Sequence, residues 1–207
     1  VPRFPAGPRY GRMAGKDNPD FLNPDLFKTR ILKPCLAAEV QPHIGPFVFQ
    51  FPTIDRRVLS AEQFTDGLYA FFSQLPGEFN YAVEIRNPEF LGPAYFQALN
   101  AARVTHCFNH WDRMPPLGDQ MRAAAKAGGL AAGFYIARVL TPPRTSYRQA
   151  VQRFQPYDRL QAEIPEMRAD IVRLMRRAVS RGVPAYILVN NRAEGCAPLT
   201  IDAIGRM

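Results

Sequence analysis

The side chains best equipped for chemistry stand at the ends of short apolar runs. Tyr81-Ala-Val-Glu84-Ile-Arg86 closes on a carboxylate and, two residues on, a guanidinium. Val104-Thr-His-Cys-Phe-Asn109 closes on an amide, with His110 and Trp111 just beyond it. Gly133-Phe-Tyr-Ile-Ala-Arg138 closes on a second guanidinium, and Ala185-Tyr-Ile-Leu-Val on Asn190, Asn191 and then Glu194. Strand residues two apart share a face, so Glu84 and Arg86 are within reach of one another. As a working pair they would supply a base and a bidentate clamp for phosphate or carboxylate. The competing reading is a buried ion pair that only fixes the interior, since a charge is costly to bury without a partner. Arg138 is a second anion clamp or else the partner of Glu84 or Glu194. Asn109, Asn190 and Asn191 suit hydroxyl or phosphate oxygens, or the capping of turns. His110 is placed as a general acid or orienting group beside Trp111, whose indole would stack on a sugar or base. His106 reads as a core histidine.

Glu84, His110 and Glu194 are a thin set for a metal centre, which needs several imidazoles or carboxylates converging. No metal and no cofactor are expected. No Gly-x-x-x-x-Gly-Lys, Gly-x-Gly-x-x-Gly or Gly-x-Ser-x-Gly occurs in a suitable context, which disfavours nucleotide, dinucleotide and serine-hydrolase chemistry.

The elements that must hold these residues alternate regularly. After a Pro-, Gly- and Arg-rich opening over 1–24, Asn23 caps a helix with Pro24 in its first turn, and Pro34 must kink or end it. Phe47-Val-Phe-Gln50-Phe51 is a short strand. Ser60 caps a helix carrying Phe64, Leu68, Phe71 and Phe72 at helical spacing. Helices follow around 93–102 and 120–126, and a long basic one shows Met167, Ile171, Leu174 and Ala178 on one face. The last begins at Pro198. The segment 141–159 reads as a long loop, and loops of that length are more often functional than idle. The apolar run at 185–189 suits a strand buried on both faces. Strand–helix alternation indicates a parallel α/β fold. Polar residues at five successive strand ends (Gln50, Glu84, Asn109, Arg138, Asn190) are what a TIM-type (β/α) barrel with its site at the carboxyl mouth requires. An open doubly wound sheet would concentrate its chemistry at one switch point.

A chain of 207 residues with 47% hydrophobic residues is expected to form a single domain. It has no apolar run long enough for a membrane span. Cys35, Cys107 and Cys196 are odd in number and widely spaced, which suggests reduced thiols and a cytoplasmic setting. The net charge of +8 comes mainly from arginine, since only four of the 26 basic residues are lysine. Many of these arginines fall on helix faces and ends, where they complement the dipole and stay solvated. A nucleic-acid footprint is the alternative reading.

The segments Val83-Glu84-Ile85-Arg86-Asn87-Pro88, Phe108-Asn109-His110-Trp111 and Asn190-Asn191…Glu194-Gly195-Cys-Ala197-Pro198 resemble those of the YecE-like family (domain of unknown function 72). Gly45-Pro46…Phe49-Gln50-Phe51-Pro52 and Tyr147…Phe154…Pro156-Tyr157-Asp158-Arg159 extend the resemblance along nearly the whole chain. The resemblance implies a TIM-type barrel like those of xylose isomerase and endonuclease IV, in a family without an established biochemical role. It also implies roughly two further βα units ahead of Val1, so that this chain would supply only part of the barrel.

The expected function is that of an enzyme or binding protein for a small anionic, phosphorylated or sugar-like ligand. Arg86, Arg138 and Asn190 would hold it, with Asn109, Trp111, Asn191 and Glu194 around them, and Glu84 and His110 would be its base and acid. The alternatives are a nucleic-acid-binding or processing barrel and a non-catalytic scaffold. Fold analogy does not choose among them.

Overall fold

The computed structural model describes residues 1–207. Its centre is a five-stranded, all-parallel sheet in sequence order: β1 (Phe47–Gln50), β2 (Tyr81–Glu84), β3 (Thr105–His110), β4 (Tyr135–Val139) and β5 (Ala185–Val189). Register runs Gln50 opposite Glu84, Asn109 opposite Arg138 and Val139 opposite Val189, so the polar strand ends lie at one rim. Where the β1–β2 ladder stops, Asn87 replaces it. Its amide accepts from Ile54 N at 2.7 Å and donates to Ile54 O at 3.0 Å.

The sheet is curled into a half-barrel. Glu84 on β2 pairs with Arg138 on β4 across the intervening strand. Val48 of β1 and Ile136, Tyr186 and Leu188 of β4 and β5 line a single hollow of about 540 Å³ on the concave face. That face carries Ala82, Cys107, Phe134 and Ile136, small and large residues alternating. The convex face (Phe49, Tyr81, Val83, Phe108, Tyr135, Ala137, Val139) packs against the helices in the main core. This division follows from the two-residue period of a strand.

Helices alternate with strands. α1 (Pro24–Phe27) starts at Asn23, whose side chain accepts from Leu26 N. The sequence requires Pro34 to kink or end this helix. In the structure a π-turn over Lys28–Leu32 leads into α2 (Lys33–Cys35), which ends one residue past Pro34. The wider turn relieves the clash a proline makes with the carbonyl four residues back. α3 (Ala61–Phe72) opens on a Ser60–Gln63 capping box and buries Phe64, Leu68, Phe71 and Phe72, the expected stripe. α4 (Pro93–Ala101) and α5 (Leu117–Lys126) follow β2 and β3.

Between β4 and β5 the expected long loop contains α6 (Tyr147–Phe154). Its capping box, Ser146 with Gln149, was the available signal. α7 (Pro165–Ser180) buries Met167, Ile171, Leu174 and Ala178, and α8 (Ala197–Gly205) ends the chain. β5 also departs from expectation. It is an edge strand whose concave-side residues Tyr186 and Leu188 are 36% and 47% exposed, so its apolar run is half-buried on one face and open on the other. No helix is long and apolar enough to cross a membrane.

Beneath the rim, His106 is wholly buried against α4 and α5. Its Nε2 lies 3.0 Å from Gln120 Oε1 and its Nδ1 3.0 Å from the Tyr95 hydroxyl. Gln120 Nε2 donates to the carbonyls of Asn109 and Pro115, so Oε1 must be the acceptor. His106 therefore carries its proton on Nε2 and accepts at Nδ1. Burial pushes its pKa down to about 4. A folded pKa below the unfolded one means the unfolded chain binds more protons, so stability falls as pH drops from about 6.5 towards 4 and is flat above. The expected loss is on the order of 3 kcal/mol. Urea titrations at pH 7, 5.5 and 4.5 check this: His106→Gln should flatten the slope, and an unchanged slope would remove His106 as its source.

Candidate functional site

The carboxyl ends of β2, β4 and β5 enclose a cavity of about 310 Å³. Arg86, Arg138 and Arg192 line it, with Trp111, Asp112, Thr141, Tyr147 and Asn190. The guanidiniums are held by an ion pair, by an aromatic ring, or by both. Arg138 Nη1 donates to Glu84 Oε2, beneath the cavity. The guanidinium carbon of Arg86 stands over the Trp111 ring, 4.5 Å from its centroid, and Nε reaches Glu84 Oε1 at 3.4 Å. Arg192 lies over the Tyr147 ring at 4.4 Å. Stacking of this kind contributes roughly 0.5–1 kcal/mol or more and fixes the plane of the fork. Trp111, expected from sequence to stack on a sugar or base, and Tyr147 thus each back an arginine.

Glu84 is fully buried and engages both Arg86 and Arg138. Each of its oxygens already faces a guanidinium, and the residue does not line the cavity. This is the arrangement of a carboxylate that positions two arginines. His110 is buried, and strand alternation turns it away from Asn109 towards the helical side. Burial lowers its pKa, and the nearby carboxylates of Asp170 and Glu194 oppose that shift. His110 therefore does not meet Glu84 at the mouth.

Asn109 is buried, and its Nδ2 donates to Ile85 O at 2.8 Å, tying β3 to β2. Asn190 lines the cavity while its Oδ1 accepts from Arg192 N at 3.0 Å, shaping the turn that delivers Arg192. Asn191 caps α8 through Ala197 N at 2.8 Å, the turn-capping role weighed for it from sequence. Glu194 is fully buried and held by Arg168 of α7, with Nε at 3.1 Å from both oxygens and Nη2 at 2.9 Å. It joins helix to loop and lies outside the cavity lining. The chain approaches closely at the next residue: a Cβ on Gly195, at φ +116°, would stand 2.5 Å from Arg159 O.

The strand-end arginines and Asn190 thus come together with Trp111, whereas Asn191 and Glu194 are drawn into supporting contacts, and His110 on the helical side has its Nε2 buried without a hydrogen bond. The model of the family described as "Protein of unknown function DUF72" matches residues 24–207. The chain belongs to the DUF72 family. Among solved structures it is similar to a DUF72 family protein from Thermotoga maritima, at 15% identity and a TM-score of 0.52. That match covers 88% of this chain and 63% of the other, so the present chain spans less than two thirds of that relative's length. At this identity the likeness is one of fold. No curated protein matches.

Arg192, Thr141 and Asp112 are among the cavity residues of this DUF72 chain that were not singled out as site residues from sequence. Arg192 and Thr141 carry no strand-end signature, because each lies just past its strand. Asp112 is marked by its backbone, with φ +22°, and its carbonyl accepts from Arg144 N at 2.9 Å. That bond ties the loop after β3 to the loop after β4 and closes the cavity wall.

Proposed function

We propose that this chain contributes the ligand-binding mouth of a TIM-type (β/α) barrel and that the mouth binds a small anionic ligand. The observation that carries the reading is the convergence of Arg86, Arg138 and Arg192 on one 310 Å³ cavity at the carboxyl ends of the strands. Ligands bind at that end of parallel α/β folds, and guanidinium forks match the planar or tetrahedral geometry of oxyanions. The forks are held in advance by Glu84, Trp111 and Tyr147, which lowers the entropy lost on binding. Glu84 supports this function as a positioning group.

The test is calorimetric titration with inorganic phosphate and with acetate at low ionic strength. At least one anion is expected to bind, with affinity falling at least tenfold in Arg192→Gln. Arg192 is partly exposed and pairs with no carboxylate, so this variant should melt within a few degrees of the parent. Absence of binding by every anion tried would overturn the reading.

A further inference from the structure

Two polar groups at the cavity are buried without partners. Thr141 is 4% exposed, and its Oγ1 has no hydrogen bond. Arg192 Nε is likewise buried and unpaired. Both residues line the cavity. A buried donor left unsatisfied is costly and calls for an explanation, of which a missing ligand atom is one. Asp112 adds a carboxylate to the same wall, and its backbone at φ +22° sits in a region non-glycine residues seldom adopt. Residues held this way cluster where a ligand is gripped.

The charges limit what such a ligand can be. Three guanidiniums stand against two carboxylates, Glu84 beneath and Asp112 in the wall, leaving one net positive charge. That matches a single anionic group better than a phosphate monoester, which carries about two negative charges near pH 7. The remaining groups are a hydroxyl that can donate or accept (Thr141), an acceptor (Asp112) and an amide (Asn190). These are the partners of ligand hydroxyls. At roughly 30 Å³ per water, the cavity has the volume of about ten waters, room enough for one hexose-sized molecule.

We infer that the ligand is a polyhydroxylated monocarboxylate, a sugar acid, with Thr141 and Asp112 as the residues that select its hydroxylated body. The inference rests on the anion-binding reading above and adds the ligand class to it. The arginines take the carboxylate. Thr141 Oγ1 and Asp112 read hydroxyls that a simple carboxylate lacks.

The experiment is calorimetric titration with glucuronate, gluconate, glucose 6-phosphate, glucose and acetate. Glucuronate or gluconate is expected to bind at least tenfold more tightly than acetate, glucose or glucose 6-phosphate. Thr141→Val and Asp112→Asn should each weaken that sugar acid fivefold or more and leave acetate unchanged. Melting of both variants without ligand establishes that they are folded. Equal or tighter binding of glucose 6-phosphate overturns the ligand class while leaving the anion site standing. So does an unchanged sugar-acid affinity in both folded variants. Failure of all anions, acetate and inorganic phosphate included, overturns the underlying site as well.

Discussion

Arg168→Met should cost about 3–5 kcal/mol of stability, a large share of the roughly 5–15 kcal/mol that holds a domain together. Glu194 is fully buried, and three of its four hydrogen bonds come from Arg168. The fourth comes from Ile164 N at 2.5 Å. Without Arg168 a carboxylate remains in a site that water does not reach, with one backbone donor. A buried pair need not stabilise relative to an apolar replacement, but removing one partner alone does harm. The double variant Arg168→Met/Glu194→Gln should therefore recover most of the loss, and a double-mutant cycle in urea measures the coupling. A loss under about 1 kcal/mol in the single variant would mean that the pair does not form. Neither residue lines the arginine cavity, so anion affinity of the folded variants should not change.

The same residues show which parts of the structure the sequence discloses. Strand–helix alternation and the two-residue period were enough to place Glu84, Arg138 and Asn190 at one rim, because both are properties of contiguous chain. The face of His110 was equally available: it alternates with Asn109, so if one faces the concave side the other faces the helices. Glu194 was not legible in this way. Its partner Arg168 lies 26 residues earlier on α7, one of several arginines on that helix, and only packing selects it. Arg192 is a similar case, since its position depends on Tyr147, a residue on a helix read as loop. β5 misled for a different reason. An apolar run shows that a strand can be buried on both faces, and the curl of the sheet leaves one face of this strand open.

Arg138→Met is the other substitution with a large expected effect, and it separates two roles that Glu84 and Arg138 share. Glu84 would keep only the 3.4 Å contact from Arg86 Nε while remaining fully buried, so a loss of about 3 kcal/mol is expected. Anion affinity should fall at least tenfold in the same variant, because one of the three forks is gone. Adding Glu84→Gln removes the uncompensated charge and should bring stability back to within about 1 kcal/mol of the parent. It cannot bring back the fork, so binding should stay weak. Glu84→Gln alone leaves Arg86 and Arg138 with no carboxylate beneath them, and the cavity gains one net positive charge. Long-range attraction for an anion then rises at low ionic strength and fades with added salt, and because the forks have lost the carboxylate that held them, affinity at high salt should fall below the parent's. If Glu84 positioned neither arginine, Glu84→Gln would leave acetate affinity and its salt dependence unchanged, and Arg138→Met would cost less than about 1 kcal/mol. Urea melts and acetate titrations on the three variants therefore test whether Glu84 is the carboxylate that positions two arginines.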